Sequence, residues 1–254
     1  MASWSASRQL IYFFGFFAVL IVGVSLAAAI FWPRATCDDG RRNQSELGPD
    51  CGGVCLAVCP NEAIVADARW ARVLSLGAGA YDLAAMITNP NPDLWATRLP
   101  YEIKFVDQEN ALINSVRGEV SLWPGEDFPI FIPNINVGRR VPARAYLELP
   151  GAPRWERSTS SPPTLTVTND NFTASPAPIL TARLTNHSPA PVTQIEVRVL
   201  LSDVEHNAFA AHGTFVERLG PDETKDISFT WPRPFALPPT FIEFYPHAVI
   251  ESVR

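Results

Sequence analysis

Cysteine and lysine are both scarce in this chain, and each scarcity excludes a class of function. The four cysteines fall within 23 positions, and the chain after them has none, so no disulfide can form within that later part; they are Cys37, Cys51, Cys55 and Cys59. Lysine occurs only at Lys104 and Lys225, and the arginines are scattered rather than clustered. Affinity for nucleic acid rests mainly on clustered basic side chains, and the net charge here is −6. We therefore expect no nucleic-acid partner.

Charged residues are absent from the 23 positions between Leu10 and Trp32. As a helix this run is long enough to cross a hydrocarbon core of about 30 Å. It predicts a transmembrane helix over 10–32, a lipid bilayer as its partner, and a short cytoplasmic tail over 1–9. A cleaved signal peptide is the alternative, because Ala27 to Ala29 offers a small-residue cleavage site. The length of the apolar run favours the anchor, since signal cores span about 7–15 residues.

The arginines do not decide the orientation of this helix, because Arg8 precedes it and Arg34, Arg41 and Arg42 follow it. The cysteines decide it instead. A short cysteine-dense segment beside a cysteine-free body is typical of disulfides formed in an oxidising compartment. We expect a single-pass protein with a cytoplasmic N-terminus and a periplasmic or cell-surface body.

The segment 33–62 is polar, rich in turn residues and too short to bury a core, so two disulfides are the expected means of holding it. Its four cysteines allow three pairings. It resembles a small module of surface-exposed bacterial and animal proteins through Cys37, Asp39, Gly40, Asn43, Glu46 and the run Asp50-Cys51-Gly52-Gly53-x-Cys55. Three residues separate the last two cysteines, whereas two are common in that module.

Metal binding by this segment is the alternative to disulfides. The stretch from Cys55 to Pro60 resembles the end of a bacterial ferredoxin motif, but the gaps of 13 and 3 residues before Cys55 do not fit the two-residue gaps of that motif. Zinc is a further alternative. Four acidic residues could also gather a calcium ion, although a solvated acidic loop is the preferred interpretation; they are Asp38, Asp39, Glu46 and Asp50.

Beyond the cysteines the chain repeats itself at a spacing of about 96 residues. An asparagine, an aspartate and two glycines recur, which we pair as Asn89 with Asn186, Asp107 with Asp203, Gly118 with Gly213 and Gly125 with Gly220. Each copy contains short runs in which apolar and polar residues alternate, such as Ile195, Val197 and Val199, or Ile227, Phe229 and Trp231. Alternation of this kind indicates half-buried antiparallel strands.

The fold class predicted from this pattern is all-β, with two tandem immunoglobulin-like antiparallel sandwiches over 63–157 and 158–254. The second unit resembles the bacterial FxLYD-type domain through Thr185-Asn186, the strand ending at Asp203, Gly220-Pro221 and Phe229-Thr-Trp-Pro232. The first resembles the type-2 late-embryogenesis-abundant (water-stress) domain through Asn89-Pro-Asn91 and Leu99-Pro-Tyr101. Both resemblances imply sandwiches of extracytoplasmic or stress-related proteins without established chemistry.

No nucleophile with an orienting base is visible in the sequence, so we expect no enzymatic activity. Asp203, His206 and His212 are the best metal candidates among the histidine-containing stretches, but a solvated hairpin is preferred. Trp95, in a proline-rich stretch predicted to be a loop, is the residue we expect to be exposed for contact with a partner.

The sequence therefore predicts a membrane-anchored, non-catalytic structural or interaction protein of the bacterial cell envelope, with an unidentified envelope protein as partner. A membrane-tethered iron–sulfur electron carrier is the alternative. The two sandwiches are expected to be joined only by the polar linker 156–163.

Overall fold

The computed structural model describes residues 4–31, 36–151, 153–157 and 161–248, so Trp32 and positions 158–160 of the linker lie outside the described residues. The chain forms two compact units, Met1–Val54 and Cys55–Arg254.

The first unit contains the helix α1, Trp4–Phe31, which begins before the predicted start at Leu10. Its stretch Gln9–Ala27 is long and apolar enough to cross a membrane, and none of that stretch is buried within the protein. A helix that is apolar all round and unburied has no amphipathic face for docking on a soluble domain. After α1, the described loop of this unit runs from residue 36 to 54 and contains turns, bends and one isolated antiparallel bridge between Gly48 and Cys51.

The second unit is all-β apart from one short 3₁₀ helix, Pro60–Glu62. Its strands are β1 (Asp67–Gly77), β2 (Ala80–Thr88), β3 (Leu94–Val106), β4 (Leu112–Leu122), β5 (Asp127–Ile132), β6 (Arg144–Glu148), β7 (Arg154–Arg157), β8 (Leu165–Thr173), β9 (Ile179–Asn186), β10 (Val192–Ser202), β11 (Ala208–Leu219), β12 (Thr224–Thr230) and β13 (Phe241–Ala248).

These strands form four antiparallel sheets, two in each sandwich. In the first sandwich the orders are β1-β2-β5 and β4-β3-β6, with β7 also paired to β3. In the second they are β8-β9-β12 and β11-β10-β13. Apart from β7, each strand of the first sandwich has a counterpart at the same place in the second, so the predicted all-β fold and its internal repeat are confirmed.

The alternation in sequence places one side of each strand in a core. In the second sandwich, Ile195, Val197 and Val199 are fully buried, and Phe229 and Trp231 lie in the same core. In the first, Ile103 and Phe105 occupy the equivalent strand and are also fully buried. Segment 56–58 joins the first sandwich as well, because the Val58 amide donates to the Trp155 carbonyl at 2.8 Å and the Val58 side chain enters the core.

A third apolar cluster joins the two sandwiches, which corrects the expectation that only the linker connects them. We call it the seam: Leu74, Ala84 and Met86 of the first sandwich pack against Leu200 and Ala211 of the second. These side chains lie on the faces of β1, β2, β10 and β11 that point away from the two cores. Residues 82–87 of β2 and 199–202 of β10 are consequently buried on both faces, and the two sandwiches belong to one compact unit.

Candidate functional site

All four cysteines are disulfide-bonded, as the sequence predicts. Iron–sulfur clusters are ligated by cysteine thiolates, and none of these sulfurs is available as a thiolate. The iron–sulfur alternative is therefore not supported.

The acidic residues of the loop 36–54 bind backbone amides of the same loop. Asp50 accepts hydrogen bonds from the amides of Asp39 and Gly40 at 2.8 and 2.7 Å, and Glu46 accepts one from the Asn43 amide at 3.0 Å. Asp39 accepts from the Arg41 amide at 2.9 Å and from the Asn43 side chain at 2.7 Å.

Desolvation acts to raise the pKa of Asp39, but the hydrogen bonds to its carboxylate outweigh it, and this pKa lies below its usual value. The hydrogen bonds of Asp39, Asp50 and Glu46 fix the path of the loop, while Asp38 lies on its exposed side. Calcium binding by these four residues stays a prediction.

Trp95 lies in strand β3 and not in an exposed loop. Its ring packs on Trp123 with the ring centroids 5.3 Å apart, and its residue is only partly exposed. The indole N–H is buried and has no hydrogen-bond partner among the described residues. The structure thus corrects the predicted exposure of Trp95, and a contact with a partner through it stays a prediction.

The repeated asparagines are fully buried and hold equivalent corners of the two sandwiches. The Asn89 side-chain amide donates to the carbonyls of Leu94 and Trp123 at 2.7 and 2.8 Å. The Asn186 amide likewise donates to the carbonyls of Leu219 and Gly220 at 3.2 and 3.0 Å. Buried backbone carbonyls require hydrogen-bond donors, so both asparagines have a structural role.

One pairing within the repeat is wrong. The amide of Trp123 donates to the Glu126 carboxylate, as the amide of Gly220 donates to that of Glu223. Trp123 therefore corresponds to Gly220. Gly125 corresponds to Asp222, and both adopt a positive φ, +67° and +55°.

Asp203 stabilises the turn that follows it, in agreement with the preferred interpretation of the stretch from Asp203 to His212 as a solvated hairpin. Its carboxylate accepts the amides of Glu205 and Asn207 at 2.9 and 2.8 Å. His206 stacks on Phe241, with ring centroids 3.9 Å apart. His212 lies instead beside the second core, 5.7 Å from the Trp231 ring, and its Nδ1 is 3.0 Å from the Gly213 carbonyl oxygen.

His247 is a buried polar residue on β13 that contacts the first sandwich, and no sequence pattern singles it out. Its Nδ1 lies 2.8 Å from Glu126 Oε1, and its Nε2 lies 3.3 Å from Ser121 Oγ. A neutral ring that donates from Nδ1 to the carboxylate accepts the Ser121 hydroxyl at Nε2. The ring also packs at a tilt against Phe128, with ring centroids 4.6 Å apart, and the residue is 3% exposed.

Ser121, His247 and Glu126 are thus connected in the same order as the nucleophile, base and orienting carboxylate of a catalytic triad. Ser121 and His247 border a polar cavity of about 290 Å³ at the seam. The second carboxylate oxygen of Glu126 is occupied by the Trp123 amide at 2.7 Å. The two ring nitrogens of His247 therefore connect β13 to the first sandwich. No sequence signal brings these residues together, because His247 lies 121 residues or more from both partners.

Asp82 and His212 are titratable groups near the seam, on opposite sandwiches. Burial raises the pKa of Asp82, against the effect of the hydrogen bond that it accepts from the Asn134 amide at 2.8 Å. Burial lowers the pKa of His212, opposed by its hydrogen bond to Gly213 and by the charge of Asp82. Both shifts favour the neutral forms.

An open groove of about 930 Å³ is bordered by both sandwiches. We call it the groove. It is lined by β1 residues 71–77, by residues 143–146, by Asp203, by residues 207–209 and by the loop 233–237. Its volume falls within the 300–1,000 Å³ typical of small-molecule sites. No local sequence pattern reveals the groove, because its walls come from both sandwiches and are brought together by the seam.

No protein-family model and no curated protein matches this sequence. Among solved structures, the crystal structure of red sea bream transglutaminase is similar over 71% of this chain and 29% of that chain, with 12% identity and a TM-score of 0.22. This chain thus spans less than a third of that protein. A similarity at this TM-score carries no argument about activity, and the resemblances to the FxLYD-type and water-stress domains stay predictions.

Proposed function

We propose that this protein is a single-pass, membrane-anchored component of the bacterial cell envelope whose extracytoplasmic β-sandwiches form a non-catalytic structural or interaction module. The observation that carries the proposal is the succession of an apolar helix and a disulfide-bonded segment, since disulfides persist in oxidising compartments. The seam adds support, because it packs the sandwiches into one unit that presents a fixed surface to an envelope protein partner.

Protease accessibility tests the location of the body. Protease added to intact spheroplasts is expected to degrade the sandwiches, and the cytoplasmic side of a control membrane protein should stay protected. Digestion of the sandwiches only after lysis would overturn the proposed orientation. Mass measurement of the mature chain tests anchorage separately, because a signal peptide cleaved near Ala27 to Ala29 would remove most of α1.

The non-catalytic part of the proposal is tested at Ser121, because the Ser121–His247–Glu126 arrangement is the observation that favours a hydrolase as a second candidate. We expect no hydrolysis of p-nitrophenyl butyrate above the level of a Ser121→Ala variant. Ser115→Ala, on the same strand, is the control substitution. Hydrolysis that is lost in Ser121→Ala but retained in Ser115→Ala would establish the hydrolase instead.

A further inference from the structure

The groove exposes apolar side chains that the described part of the chain leaves uncovered. Leu237 is 71% exposed and Tyr146 47% exposed at its rim, and Phe209 and Phe235 are half-buried in its wall. Val73 on β1 contributes a further apolar side chain. A concave apolar surface with a few polar groups is the usual composition of a small-molecule site.

The charged side chains of the groove are mainly cationic, although the whole protein is acidic. Three arginines line it, against the single carboxylate of Asp203, which accepts two turn amides. Within the described part of the chain, none of these arginines forms an ion pair; they are Arg72, Arg144 and Arg233. In contrast, arginines such as Arg69, Arg98 and Arg117 are paired with carboxylates.

Two of the three guanidinium groups already have other partners. Arg72 donates to Asn207 Oδ1 at 2.8 Å, and Arg144 donates to Asn110 Oδ1 at 2.8 Å. The third, that of Arg233, lies against Gly77, where a Cβ atom would come within 2.9 Å of it. Arg233 makes no hydrogen bond or ion pair with the described residues, so its donors are available to an anion.

The spacing of the strands favours a flexible chain over an added β-strand as the occupant. Strand β1 is at the edge of its sheet and β6 at the edge of the facing sheet. Their Cα atoms approach within 8 Å of each other. A strand inserted between them would need about 4.8 Å on each side, or about 9.6 Å in total. The groove therefore does not offer β1 as a template for pairing between these edges.

We propose that the groove binds a single-chain amphiphile of the fatty-carboxylate class. The acyl chain lies on Val73, Phe209, Phe235 and Leu237, and the carboxylate accepts hydrogen bonds from the Arg233 guanidinium, whose planar array of donors matches a carboxylate. This site is separate from the Ser121–His247–Glu126 arrangement and does not depend on the orientation of the protein in the membrane.

Binding of radiolabelled decanoate tests the proposal, with the full chain in phospholipid nanodiscs and empty nanodiscs as the control for partition into lipid. We expect saturable binding to the protein-containing discs alone. Extension of the chain to dodecanoate should tighten it by about three- to fourfold per buried methylene. Unlabelled decyltrimethylammonium should compete at least tenfold less well than unlabelled decanoate.

Charge reversal identifies the site. Arg233→Glu should weaken decanoate binding at least tenfold, whereas Arg218→Glu, at an exposed position of β11 outside the groove, should leave it unchanged. Leu237→Asp should weaken it, and Val204→Asp, at an equally exposed apolar position outside the groove, should not. Because all four positions are exposed, unchanged thermal unfolding is expected to accompany each variant.

Three results would overturn the proposal. The first is the absence of saturable binding above empty nanodiscs. The second is an equal effect of Arg233→Glu and Arg218→Glu. The third is displacement of decanoate by an alternating Val-Glu octapeptide more tightly than by dodecanoate, which would make the groove a peptide site.

Discussion

Adjacent leucines on β10 allow the seam to be tested against the core. Leu200 is 2% exposed and packs in the seam with Met86 and Ala211, whereas Leu201 is fully buried in the second core. The substitutions Leu200→Ala and Leu201→Ala remove the same atoms from the same strand, but from opposite faces. Leu201→Ala should therefore weaken the core of the second sandwich, whereas Leu200→Ala should weaken the contact between the two sandwiches.

Leu201→Ala should lower the free energy of unfolding by about 2–5 kcal/mol, the usual cost of deleting a fully buried leucine. At about 2–4 °C per kcal/mol for a unit of this size, its melting temperature should fall by about 4–20 °C in one transition. Leu200→Ala should cost about 2–3 kcal/mol, because small neighbours, Ala84 and Ala211, let the seam partly close. That loss falls on the contact that couples the two sandwiches.

Differential scanning calorimetry of the full chain in detergent micelles provides the measurement. The wild-type protein should unfold in one transition, and Leu200→Ala should broaden or split it, with a calorimetric enthalpy above the van't Hoff value. If Leu200→Ala leaves the shape and the midpoint unchanged while Leu201→Ala lowers the midpoint, Leu200 is not packed between the sandwiches and the seam is refuted.

Two further substitutions probe the second sandwich. Trp231→Ala should lower the free energy of unfolding by about 3–5 kcal/mol, because it empties a buried aromatic site and leaves the Ala211 carbonyl without its indole donor. The exposed Thr230→Ala should change that free energy by no more than about 0.5 kcal/mol. Equal shifts in melting temperature for the two variants would contradict the strand register. Burial lowers the folded pKa of His212, so its neutral form stabilises the fold above its unfolded pKa of about 6.5, and that contribution is lost as pH falls. We therefore expect the wild-type protein to lose stability between pH 7 and pH 5 in thermal melts, and His212→Phe to reduce that loss. The exposed His187→Phe serves as the control, and an unchanged slope in His212→Phe would argue against His212 as a source of pH dependence.

Local patterns in the sequence determine most of the secondary structure and the two cores. Alternation at Ile195, Val197 and Val199 places these side chains on one face of a strand, because successive residues of a strand point to opposite sides. The aspartate of the turn at Asp203 also follows from local chemistry, since its carboxylate reaches amides only two and four residues away. The disulfides also follow from a local pattern, since the four cysteines fall within 23 positions of a short polar segment.

Only the tertiary structure decided how the two sandwiches pack. The run Leu83-Ala-Ala-Met-Ile87 lacks alternation, and such continuous apolar runs are typical of strands buried on both faces. The neighbouring sequence, however, does not indicate which surface of the protein covers the second face. That surface is β10 and β11, more than 110 residues away in the chain. The contact between His247 and Ser121, and the placement of Arg233 against Gly77, depend on this packing. Contacts between residues so distant in sequence depend on the sum of many weak interactions across the seam. They cannot be predicted from any single residue type or spacing.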